Sequence, residues 1–182
     1  MDRESITCLI IIGFILWISI HFYKNSDFIN LTCIISESDG NKYCIRERKN
    51  SREAVELLSV TVQKMKHLVH YLNKNDPDNE ITKRLVEGFN PQRCMETLPT
   101  SEHKAYSENK GEKLAFCLDY KRNGESDLID LNTLTFVALH ELAHISSKSV
   151  GHTDEFWNNF KFLLIQAKKI GVYEPVDYKK NP

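Results

Sequence analysis

Residues 130–157 read DLNTLTFVALHELAHISSKSVGHTDEFW, and this stretch decides how the chain is read. Within it, His140, Glu141 and His144 form the pattern H-E-x-x-H. Histidines four residues apart on a helix stand one turn apart on one face, so their rings can converge on a single ion. A glutamate beside the first histidine is placed to reach an ion-bound water and act as a general base. Towards the N-terminus, Leu134, Val137, Ala138 and Glu141 fall on one helical stripe, and Leu131, Leu139 and Leu142 widen the apolar surface. The pattern predicts a buried helix capped by Asp130 or Asn132. Burying two histidines and a glutamate costs free energy unless something pairs with them, and an ion with its water would pair with all three.

Towards the C-terminus, Ser146 to Gly151 reads as a short loop, with Gly151 free to take a positive φ. His152 follows it. Thr153 is placed to cap a second helix, with Asp154 and Glu155 in its first turn and an apolar face of Phe156, Trp157, Phe160, Leu163, Leu164, Ala167 and Ile170. Gly171 is its stop. His152 therefore stands at a fixed helix entrance and is the preferred third ligand. Asp154 or Glu155 could replace it, but complementing the helix dipole already accounts for both acids. Three protein ligands and one open position make a catalytic zinc arrangement, whereas four protein ligands close the site.

HELAH followed by Gly151-His152-Thr153-Asp154-Glu155-Phe156-Trp157 resembles the WLM family of zinc metallopeptidases, relatives of the SprT-like proteases. Those proteins share HExxH, a nearby third histidine and an aromatic pair on the next helix. The stretch 98–178 resembles membrane-anchored WLM-like proteins of large DNA viruses more closely still. The resemblance implies Zn2+ as cofactor, held by His140, His144 and His152, with Glu141 catalytic and a peptide or protein as substrate. It also implies a strand bordering the catalytic cleft, where an extended substrate can pair. SprT-like proteases carry separate DNA-binding or ubiquitin-binding parts, and nothing similar is visible here.

A formal net charge of −1 leaves no basic footprint, so no nucleic-acid partner is expected. Ile6 to Phe22 is an apolar run broken only by Thr7, Gly13, Ser19 and His21. It predicts a spanning helix that contacts a lipid bilayer, with Trp17, Phe22 and Tyr23 towards one interface. Asp2 and Glu4 and the bulky far end argue against a cleaved signal peptide. The expected location is single-pass in a membrane, of the host or of the virion if the chain is viral. Arg3 weighed against Lys24, Lys42, Arg46, Arg48 and Lys49 leans slightly towards a cytosolic domain. The triplet Asn30-Leu31-Thr32 is a glycosylation sequon that works only in a lumen, so the side stays open.

Residues 24–50 form a juxtamembrane segment, either a hairpin (Cys33 to Ile35 with Tyr43 to Ile45, around Asp39-Gly40) or a stalk. Cys33 and Cys44 could bridge in an oxidising compartment. Cys94 and Cys117 could do likewise or be ordinary buried thiols. A helix is expected from Ser51 to Asn73, with His67 and His70 on a solvated or packed face, and a shorter one from Asn79 to Glu87. Strands follow at Tyr106 to Asn109 and Lys113 to Tyr120, with a turn at Arg122-Asn123-Gly124. The Lys113 to Tyr120 hairpin is placed at the cleft edge. His103 or Tyr106 could stabilise an oxyanion, although loop packing is their plainer role.

The expected architecture is α+β: a mainly helical, zincin-like metallopeptidase domain over 51–182 with a small antiparallel sheet, preceded by an anchor over 1–23. The expected activity is that of a membrane-anchored zinc endopeptidase, in which Glu141 activates a zinc-bound water. The alternative is a non-catalytic membrane or virion protein whose zinc fastens two helices, a reading that leaves Glu141 without a task.

Overall fold

The computed structural model describes residues 3–24, 31–98, 101, 104–122 and 125–176. The apolar run forms helix α1, Arg3–Lys24. Its segment Ser5–Tyr23 is long and apolar enough to cross a membrane, and no share of it is buried against the other described residues. Asn30 of the sequon lies outside the described residues.

Strands β1 (Thr32–Ile35) and β2 (Lys42–Ile45) pair antiparallel, with Cys33 opposite Cys44 and joined to it by a disulfide. The Asp39 carboxylate shapes the turn by accepting from the Asn41 amide at 3.0 Å and the Tyr43 hydroxyl at 2.7 Å. Tyr43 and Ile45 are buried in the main core, so the segment is a packed hairpin and not a stalk. It lies on helix α2, Ser51–Asn75, whose Val55, Leu58, Val62, Met65, Leu68 and Leu72 are buried at the expected helical spacing. His67 and His70 are exposed on the opposite face. Asn79 caps helix α3, Glu80–Gly88, by accepting from the Ile81 amide.

The strands depart from expectation. Strand β3, Cys94–Glu96, pairs parallel with β5, Lys113–Phe116, while β4, Ala105–Glu108, pairs antiparallel on the other side of β5. The predicted strand Lys113 to Tyr120 is in fact two. Its first half is the centre of the sheet, with Leu114, Ala115 and Phe116 fully buried. Its second half begins β6, Asp119–Arg122, which pairs with β7, Glu125–Leu128, in a separate hairpin. The edge strand beside the cleft is therefore β4, with β3 at the other edge, and not the Lys113 to Tyr120 hairpin placed there from sequence. Cys94 and Cys117 remain free thiols. Cys94 is buried, and that burial pushes its thiol up to about 12.

A buried charge cluster fastens the first hairpin to the sheet. Glu96, 1% exposed, accepts from the Arg46 amide at 2.7 Å and pairs with the Arg48 guanidinium. Arg48 also meets Asp119 at 2.6 Å, and Arg46 donates to the carbonyl of Leu98. Two of the cations counted for membrane orientation are thus spent inside the fold.

Helix α4, Leu131–Ser146, is central: it contacts α2, α3, β4 and the last helix, α5, Asp154–Lys169. That position explains why its sequence is apolar around most of its circumference. Leu134, Ala138, Leu139, Leu142 and Ala143 are all buried. The fold is α+β, mainly helical with small sheets.

Candidate metal centre

Two caps set the geometry of the site. The Asp130 carboxylate accepts from the Thr133 amide at 2.9 Å and starts α4. Asn132, the other candidate cap, instead exchanges two hydrogen bonds with the backbone of Glu174. Thr153 starts α5, and Gly151 before it has φ +84°, as the loop reading requires.

These starts bring His140, His144 and His152 together. Nε2 of His140 lies 3.2 Å from that of His144 and 3.0 Å from that of His152. One ring nitrogen carries either a proton or a lone pair, so it cannot make good hydrogen bonds to both neighbours. A cation satisfies all three at once. Tetrahedral zinc with bonds of about 2.0–2.1 Å sets its nitrogen ligands roughly 3.3 Å apart, close to these separations. All three donor atoms lie within 4.8 Å of one another, and the set fits a metal ion.

The surroundings favour the neutral rings that a metal needs. Burial, with His144 and His152 close by, lowers His140 to about 4. Burial and His152 also lower His144. Phe156, fully buried, packs against all three imidazoles, with ring centres at 4.8, 4.4 and 4.7 Å from His140, His144 and His152. Trp157, half exposed, stacks on His152 at 5.7 Å. The aromatic pair thus divides into a floor beneath the rings and a flank beside the outermost one.

Glu141 lines the same cleft, which has a volume of about 460 Å³. Its side chain is almost fully buried, and desolvation raises its carboxyl to about 7. The opposite wall is Ala105, Tyr106 and Ser107 of the edge strand β4, and Val150 and Gly151 form part of the rim. Tyr106 therefore stands at the cleft, whereas His103 lies outside the described residues.

The two acids considered as third ligands do other work. Glu155 accepts from the amides of Lys148 and Ser149, both at 3.0 Å, and from the Ser149 hydroxyl. Those backbone hydrogen bonds hold its carboxyl down at about 2. Asp154 is exposed in the first turn of α5. Sequence reasoning missed Lys110, whose ammonium reaches the loop that carries His152. A lysine in a polar turn gives no signal of a partner so far along the chain.

The chain matches no protein-family model. It is 27% identical over 151 residues to an uncharacterised protein of Acanthamoeba polyphaga mimivirus, covering 81% of this chain and 76% of that one. It is 38% identical over 103 residues to an uncharacterised protein of Invertebrate iridescent virus 6, covering 54% and 57%. A 46-residue stretch is 50% identical to an uncharacterised protein of Invertebrate iridescent virus 3, covering 25% and 29%. The chain thus spans little more than half of the second relative and less than a third of the third. Among solved structures it is similar to Wss1 from Saccharomyces cerevisiae, with a TM-score of 0.49 and 19% identity, covering 70% of this chain and 87% of that one.

Proposed function

We propose that this protein is a zinc-dependent endopeptidase of the WLM/SprT-like kind, held at a membrane by α1. One observation carries the reading: three imidazole nitrogens converge beside a buried carboxylate in an open cleft. A site that only fastened helices would gain nothing from Glu141 or from an open ligand position.

His140, His144 and His152 would hold the zinc, which supplies Lewis acidity towards a peptide carbonyl and towards water. Glu141 takes a proton from the attacking water and delivers it to the departing amine. Burial keeps bulk water from competing for that carboxylate. Strand β4 lines the cleft as a sheet edge, so an extended peptide can pair with its backbone and lie across the histidines. Helix α1, apolar and not buried against the other described residues, anchors the protein in a bilayer. With uncharacterised proteins of large DNA viruses among the relatives, that bilayer would be a host or virion membrane.

Zinc analysis and casein cleavage, each on wild type and Glu141→Gln, test the proposal. The expected outcome is about one zinc in both proteins, with cleavage by the variant lower by about 10²–10⁴-fold. Undiminished cleavage by the variant removes Glu141 from the chemistry.

A further inference from the structure

Lys110 sits in the turn between β4 and β5, where Asn109 and Lys110 have φ of +45° and +55°. Successive side-chain-bearing residues rarely accept that conformation, and it persists only where the surroundings enforce it. Here they do. The turn is pressed against the end of α3: a Cβ on Gly111 would collide with the backbone of Gly88, and one on Gly88 would lie 2.8 Å from the Lys110 carbonyl. The contact between two glycine backbones fixes where Lys110 points.

Its ammonium meets three successive carbonyls of the loop between α4 and α5: Ser147 at 2.5 Å, Lys148 at 2.6 Å and Ser149 at 3.4 Å. The amides of Lys148 and Ser149 face the Glu155 carboxylate instead. One short loop thus has its carbonyls turned to a cation and its amides to an anion. That loop ends at His152, the most exposed of the three histidines and the only one not carried by α4. Lys110 itself belongs to the turn that closes the edge strand β4, and it lines the cleft.

We propose that Lys110 is a positioning residue for the metal centre: it fixes the backbone that presents His152 and locks the ligand loop to the substrate-binding edge strand. The inference rests on the metal reading of the three histidines. Fixed ligands bind a metal more tightly than mobile ones, because the ordering cost is met in the fold beforehand. Lys110→Met keeps an unbranched side chain one atom shorter and removes the donors. Lys110→Arg keeps a multidentate cation.

The test is zinc affinity of the full chain, by competition with a chromophoric chelator, together with thermal unfolding of the zinc-free proteins. Wild type must bind zinc, and failure there overturns the metal reading itself. If it does, Lys110→Met is expected to bind zinc about 10–100-fold more weakly, with Lys110→Arg recovering most of the loss. A Lys110→Met protein that melts lower but binds zinc as tightly as wild type makes the lysine merely structural and overturns the proposal. Equal loss in both variants also overturns it, because the retained cation would then count for nothing.

Discussion

At the residue scale, one carboxylate holds the amides of the loop that leads to His152. Glu155 is held at about 2 by hydrogen bonds from the Lys148 and Ser149 amides, against an ordinary value of 4.5. A group depressed on folding contributes stability above its unfolded value, and that contribution fades as pH falls towards the folded one. Glu155→Gln is therefore expected to melt below wild type at pH 7. The gap should close between about pH 4.5 and pH 2. Melting curves of both proteins across that range check this, since the titration of all other groups is common to the pair. Gly111 offers a second test. Its φ of +109° and the abutting Gly88 backbone leave no room for a Cβ. Gly111→Ala is expected to cost about 2 kcal/mol or more in urea unfolding.

At the scale of elements, α4 and α5 were legible because motif and periodicity agreed. The spacing of Leu134, Ala138 and Glu141 marked a helix, and Thr153 and Gly171 marked the ends of the next. The sheet was less legible for physical reasons. Strand β3 is three residues long, too short to show alternation, and it pairs in parallel with a strand some twenty positions on. The continuous apolar run from Leu114 to Leu118 hid a break, because every residue of β5 after Lys113 is buried whichever face it takes. Lys110 was not legible at all, because its partners lie 37 to 39 residues away. Phe156 was visible as an apolar position but not as the floor under three imidazoles. Phe156→Ala is expected to cost about 3–5 kcal/mol in denaturant unfolding, as for other buried phenylalanines, and to weaken zinc binding as well. Unchanged zinc affinity in the folded variant would leave Phe156 with packing alone.

At the scale of the whole molecule, the first hairpin is closed on itself and fastened to the part of the fold that carries the histidines. The Cys33–Cys44 disulfide closes the first hairpin. The cluster of Glu96, Asp119, Arg46 and Arg48 joins that hairpin to β3 and β6, and α2 packs on the hairpin. Among the described residues, the apolar segment Ser5–Tyr23 of α1 has no share buried against the rest. Removing residues 1–24 is therefore expected to release the protein from liposomes while leaving its zinc content and its melting temperature close to those of the full chain. Flotation with lipid vesicles and metal analysis of both forms check this. A large fall in stability on truncation would show that α1 packs on the domain and is not an anchor.

The proposed activity stands on a zinc ion held by His140, His144 and His152 with one position open. X-ray absorption at the zinc edge of the purified full chain tests it most directly. Three imidazole nitrogens at about 2.0–2.1 Å with a single further light-atom ligand are expected, with loss of that pattern in His152→Ala. Sulfur in the coordination shell, or an unchanged pattern in His152→Ala, would contradict it.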